Sequence, residues 1–91
     1  MSFPLGRIVW TRAINDLVAD DTLFAKFIMD SLKRHARCDW GEISEAGKKE
    51  NDFSLDKHLR LLSSYQHNGI KIWIITEADR SITTILFPSE Y

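Results

Sequence analysis

Eleven polar residues have side chains of the types that do chemistry: Arg34, His35, Asp39, Asn51, Arg60, Ser63, Tyr65, Glu77, Asp79, Arg80 and Thr83. Metal-free cleavage of RNA needs a base for the 2′-hydroxyl, a cation for the phosphate and an acid for the leaving oxygen. His35, Arg60, Glu77 and Tyr65 could fill those roles. Against this set stands a hairpin register, derived below, that puts Tyr65 and Glu77 on opposite faces of a sheet. A metal site would draw on Asp39, Glu77, Asp79 or the histidines. His35, His58 and His67 fall in separate elements at no ligand spacing, and Glu77 and Asp79 adjoin Arg80, which favours an ion pair. The ligand count is too small, so neither a metal nor a cofactor is expected. No P-loop, Gly-rich dinucleotide turn or nucleophile elbow occurs.

Composition bounds the rest. Ninety-one residues, 44% hydrophobic and 27% charged, are expected to form one globular domain over positions 1–91. A net charge of −1 is neither the basic footprint of a general nucleic-acid binder nor the dense acidity of a DNA mimic. Cys38 is the single cysteine, which excludes an internal disulfide and fits a cytoplasmic location. Its expected place, beside a helix C-terminus, is the wrong dipole end for activating a thiol. The apolar runs are too short for a membrane span, and positions 1–10 do not read as a secretory signal.

The elements that must position these side chains follow from periodicity. Arg7 to Trp10 reads as a short strand, and Thr11 as the N-cap of a short helix to about Ala19. Asp20-Asp21-Thr22 interrupts that helix and caps a second one. Leu23, Phe24, Phe27, Ile28, Ser31 and Leu32 give the second helix an apolar stripe. Lys33, Arg34, His35 and Arg37 crowd its last turn, where cations suit the dipole and a solvated end is the ordinary reading. Gly41 is expected to end it in a left-handed conformation. Ser44 can cap a third helix from Glu45 to about Leu55, with a thin stripe of Ala46, Phe53 and Leu55.

The C-terminal part is β-prone. Asn68-Gly69 suits a two-residue type I′ turn, which sets His67 opposite Ile70, Tyr65 opposite Ile72 and Ser63 opposite Ile74. Alternation then gives one apolar face, Leu61, Ser63, Tyr65, Ile70, Ile72, Ile74 and Thr76, to receive the helices. The mixed face carries Arg60, Leu62, Ser64, Gln66, Lys71, Trp73, Ile75 and Glu77, with Arg60 opposite Glu77. The fold class is therefore α+β: a short N-terminal strand, two or three helices, then a three-stranded antiparallel sheet packed on the helices.

Several stretches carry a resemblance: Phe3-Pro4-Leu5-Gly6-Arg7-Ile8-Val9, Arg34-His35 with Asp39-Trp40-Gly41, Asn51, Arg60-Leu61-Leu62-Ser63, Tyr65, Ile72 to Ser81, Thr83-Thr84 and Pro88 to Tyr91. In these the chain resembles a family of small uncharacterised bacterial proteins called plasmid-related and found near mobile elements. The resemblance implies a bacterial or phage-like setting and brings no activity with it. The chain departs from the pattern at Cys38, where glycine is usual.

The residues together point to a binding protein. Its partner is expected to be another protein or a second copy of itself, rather than nucleic acid or a membrane. The expected binding residues are Arg60, Trp73, Glu77, Asp79 and Arg80, because an aromatic among charges on an open sheet face is what an interface presents. Arg34, His35, Asp39 and Trp40 form a secondary set. A metal-independent ribonuclease of toxin type and an inhibitor of a host defence enzyme are the alternative readings.

Overall fold

Three small polar residues start the three helices. Thr11 is extended, and its Oγ accepts from the Ile14 amide ahead of α1 (Arg12–Asp20). Asp21 accepts from the Leu23 and Phe24 amides ahead of α2 (Thr22–Ala36). Ser44 accepts from the Gly47 amide ahead of α3 (Glu45–Lys57). The structure, a computed structural model, describes residues 2–91. Among these no helix is long and apolar enough to cross a membrane.

The strands are β1 (Arg7–Trp10), β2 (Leu61–His67), β3 (Ile70–Thr76) and β4 (Ile82–Leu86), followed by a 3₁₀ turn at Pro88–Glu90. The fold is α+β, as the sequence predicts. Asn68 and Gly69 take φ of 49° and 76°, the two positive values a type I′ turn requires. The predicted register follows from it, with His67, Tyr65 and Ser63 opposite Ile70, Ile72 and Ile74. One feature is added. β1 joins the sheet parallel to β4, so the order is β1-β4-β3-β2 and the sheet is four-stranded and mixed.

The apolar face lies under the helices. Ile14, Phe24, Ile28 and Leu32 pack there on Tyr65, Ile72, Ile74 and Ile85. The buried side of α2 is rotated from the expected stripe: Leu23 is 66% exposed and Phe27 only half-buried, whereas His35 is fully buried. Spacing explains this, since His35 lies three and seven residues beyond Leu32 and Ile28 and so continues their stripe. The predicted solvated turn therefore holds for Lys33 and Arg37, while Arg34 is half-buried and His35 fully buried.

Helix α3 behaves differently. Ala46 and Phe53 are exposed, and its buried residues are the polar Asn51 and Ser54. The helix is held along β2 by hydrogen bonds as well as by apolar packing. The Asn51 amide donates to the Leu62 carbonyl (2.6 Å) and accepts from the Leu62 amide (3.2 Å), as a neighbouring strand would.

Cys38, not Gly41, terminates α2. The Cys38 amide donates to His35 O (3.0 Å) and the Asp39 amide to Arg34 O (2.9 Å), the paired bonds of a Schellman motif. Cys38 carries the positive φ that the motif needs, 65°. Cysteine has a Cβ there and glycine does not. Cys38→Gly should accordingly stabilise the protein by about 1 kcal/mol, after the loss of some packing and the added freedom of the unfolded chain. Urea denaturation reads this as a higher midpoint at unchanged slope. A lower midpoint would mean that thiol packing outweighs the backbone term.

Candidate functional site

The hairpin assembles the mixed face. Arg60 just precedes β2 and Glu77 just follows β3, and the register sets them opposite one another. Their side chains form an ion pair at 3.4 Å, with both partners roughly half exposed. Trp73 and Ile75 lie on the same face of β3 as Glu77, with Ile75 buried and Trp73 half-buried. The chain after β4 returns over this face, its 3₁₀ turn packing against β3. Glu90 anchors it, accepting from the Phe87 amide (2.8 Å) and the Thr11 hydroxyl (2.9 Å). Tyr91 then meets Trp73 edge-on, with ring centres 5.5 Å apart. The Arg60 guanidinium donates to the Tyr91 hydroxyl (3.1 Å) and sits 5.7 Å from its ring centre. Arg60 therefore faces both a carboxylate and an aromatic ring. A cleft of about 240 Å³ opens beside it, between α3 and the sheet, with Ile43, Leu62 and Tyr91 as apolar lining and Glu50 and Arg60 as polar lining.

Asp79 and Arg80 belong to the β3–β4 turn and not to this cluster. Asp79 accepts from the Ser81 hydroxyl (2.6 Å) and amide (3.0 Å). These two bonds hold its carboxyl below the usual range, the hydroxyl contributing most. Arg80, at φ 62°, folds its guanidinium inward. It donates to the carbonyls of Leu59 (2.6 Å), Glu77 (3.1 Å) and Ser54 (3.2 Å) and lies 5.8 Å from the Phe3 ring centre. It ties the turn to the end of α3.

The secondary set braces the end of α2 against β2. Arg34 grips Asp39 with two bonds, Nε to Oδ2 at 2.7 Å and Nη2 to Oδ1 at 3.2 Å. That contact is the main reason the Arg34 pKa is raised and the Asp39 pKa lowered. The guanidinium lies 4.8 Å from the Tyr65 ring centre, and the Tyr65 hydroxyl donates to the Asp39 carbonyl. Trp40 is buried, with its indole N–H on Asp52 (3.1 Å).

His35 lies inside this brace, in a chain of buried polar groups. Its Nδ1 meets Ser63 Oγ and its Nε2 meets Thr76 Oγ1 (2.9 Å). Thr76 Oγ1 meets Thr83 Oγ1 (2.7 Å), and Thr83 donates to the Leu5 carbonyl (2.7 Å). A carbonyl can only accept, and that fixes the two threonine protons and the one on Nε2, with the Ser63 bond following for a neutral ring. The Thr83 hydrogen goes to Leu5, so Thr76 donates to Thr83. Thr76 then accepts from His35 Nε2–H, which leaves Nδ1 to accept from Ser63. The imidazole is neutral, as its pKa of about 4 requires; burial is the chief cause of that value and the positive charge of Arg80 the second.

A hydroxyl donating to an imidazole that a third group orients has the connectivity of an activated nucleophile. Here Ser63, His35 and Thr76 are all sealed from solvent, so no substrate reaches them. The same burial separates the residues proposed for RNA cleavage. His35 and Tyr65 lie under the helices, while Arg60 and Glu77 lie on the other side of the sheet. Among the described residues no group of three or more histidine, cysteine or acidic side chains comes together.

Sequence reasoning missed Tyr91, Ile43 and Glu50 at the cleft and Thr76 in the buried chain. Local pattern marks none of the first three, because they meet only through tertiary contact. Comparison with protein-family models, with curated proteins and with solved structures finds no match to this chain.

Proposed function

We propose that this chain is a small accessory protein of bacterial mobile elements, working in the cytoplasm by binding protein through the face of Arg60, Trp73, Glu77 and Tyr91. The mobile-element setting rests on the resemblance in the sequence. The binding role rests on one observation: Arg60 and Tyr91 line an apolar cleft, and Tyr91 meets the half-buried Trp73 edge-on beside it. Arginine and aromatic side chains are the residues that most often anchor protein interfaces. The favoured partner offers an apolar side chain to the cleft and a carboxylate that competes with Glu77 for Arg60. A host defence enzyme with such a surface would make the chain an inhibitor. The ribonuclease reading loses support because its residues are divided by the sheet.

Arg60→Ala and Trp73→Ala test the proposal. An exposed ion pair is worth about 0–1 kcal/mol, so Arg60→Ala should melt close to the parent. Each variant should lose the proteins that the tagged parent retains from a bacterial host. If both variants remain folded and retain the same proteins, the face is not the binding surface.

A further inference from the structure

The two outer strands of the sheet end differently. On β2 the outward backbone groups of Leu62 are taken by Asn51, as described. Those of Ser64 are also taken: its amide donates to Trp40 O (3.2 Å) and its carbonyl accepts from the Glu42 amide (2.7 Å). This edge is closed from Leu62 to Ser64. On β1 the Arg7 and Thr11 amides bond the Ser81 and Ile85 carbonyls, so alternate residues 7, 9 and 11 face β4. The amides and carbonyls of Ile8 and Trp10 then point away from the sheet. Among the described residues no hydrogen bond closes them. Natural edges are commonly guarded by proline, bulges or charge. Arg7–Trp10 is a continuous run without proline or bulge, its one charge stands at its start, and Ile8 is 44% exposed.

We propose that β1 pairs with β1 of a second copy of this chain, antiparallel about a two-fold axis at Val9, so that two four-stranded sheets continue as one. Self-complementarity selects this occupant. In an antiparallel pair only residues whose backbone groups both point outward exchange hydrogen bonds. With the axis at Val9, Ile8 of each copy meets Trp10 of the other, and both such pairs exchange their bonds. Each pair also sets an aromatic side chain opposite a β-branched one on the helix-covered face, a favourable cross-strand combination. Arg7 falls opposite Thr11, so like charges do not meet. An axis at Ile8 would leave the groups of Trp10 opposite Gly6, outside the strand. The inference rests on the reading that this chain acts by association, and it gives self-association a surface separate from the Arg60–Trp73 face.

Sedimentation equilibrium of the full chain tests it. The apparent mass of the parent should rise with concentration from 10.6 kDa toward twice that value. Ile8→Pro removes an amide that faces away from β4, so the chain's own sheet keeps its ladder. That variant should retain the parent's circular dichroism and remain at the monomer mass. Ile8→Lys, at an exposed position, serves the same purpose if the proline disturbs the fold. Val9 facing Val9 is a non-hydrogen-bonded pair with Cα atoms about 4.5 Å apart, within disulfide reach. Val9→Cys in a Cys38→Ser background should therefore cross-link as a dimer under mild oxidation. A parent that stays monomeric, a folded Ile8 variant that dimerises like the parent, or a dimerising Val9→Cys protein that does not cross-link would each overturn the proposal. Arg60→Ala should dimerise normally and Ile8→Pro should still retain host partners, so failure of one surface is distinguishable from failure of the other.

Discussion

Replacing His35 by leucine should destabilise the protein by about 3–5 kcal/mol, although leucine fits the apolar stripe of α2. The Ser63 hydroxyl would lose its acceptor and Thr76 Oγ1 its donor, in a place where water cannot substitute for either. Each buried group left without a partner costs about 1–3 kcal/mol. A leucine variant as stable as the parent would show that the polar chain contributes nothing net. The same residue makes stability depend on pH. The folded protein holds the imidazole neutral down to about pH 4, whereas the unfolded chain takes up the proton near its ordinary value of 6.5. The stabilisation is thus complete above pH 6.5 and is lost progressively as pH falls toward 4. Its full size is about 3 kcal/mol for a group this deeply buried. Asp30, Asp39 and Asp79 are held below the ordinary carboxylate value and lose their contribution at lower pH still. Urea melts at pH 7, 6, 5 and 4 should show the loss in the parent and a flatter profile in the leucine variant. Equal profiles would assign the loss to another group.

Gly41→Ala carries the second large effect, expected at about 2–5 kcal/mol. Gly41 has φ of 73°, where an L side chain is strained. A Cβ there would also overlap the Ser64 carbonyl oxygen and the Tyr65 ring. Neither can yield easily. The Ser64 carbonyl is held by the Glu42 amide, and the Tyr65 ring is fixed between Arg34 and the core. The substitution would therefore break the cover over the β2 edge at Ser64. Gly69→Ala is the control, because its φ is also positive, 76°, yet nothing lies within 4 Å of its added Cβ. Thermal melts should rank parent, Gly69→Ala and Gly41→Ala in that order, with a wide second gap. Equal losses at the two glycines would leave backbone strain as the whole effect.

What the sequence made legible was local. Asn68-Gly69 specifies a turn by the φ values its residues accept, and a turn specifies register, so the pairing of β2 with β3 and both sheet faces followed. Thr11, Asp21 and Ser44 declared the helix starts through short side chains that reach their own backbone. Three features stayed hidden for physical reasons. α2 ends at Cys38, a residue with no preference for positive φ, while the nearby Gly41 has one and misled the reading. α3 buries Asn51 and Ser54, and polar contacts leave no apolar stripe to count. His35 sits among cations that announce a solvated turn, and only the rotation of the stripe brings it inward. The Arg60–Glu77 pair and the side of the sheet on which Trp73 lies were legible because alternation alone determines them, whereas the C-terminal turn that covers part of that side was not. Tyr91, which completes the cluster, was visible only as part of a family-like stretch.

The pairing of β1 with β4 sets an order of events during synthesis. Arg7 pairs with Ile82, so the first strand to leave the ribosome must wait for the last before it has a neighbour. β2, β3 and β4 can join through short turns as they emerge, at little loop-closure cost. β1 closes the longest loop of any strand pair in the sheet and gains no sheet bonds until that loop closes. Until then Ile8, Val9 and Trp10 are an apolar, extended and unpartnered segment, the kind that associates wrongly in crowded solution. The segment is only four residues long, which limits how firmly a wrong partner can hold it.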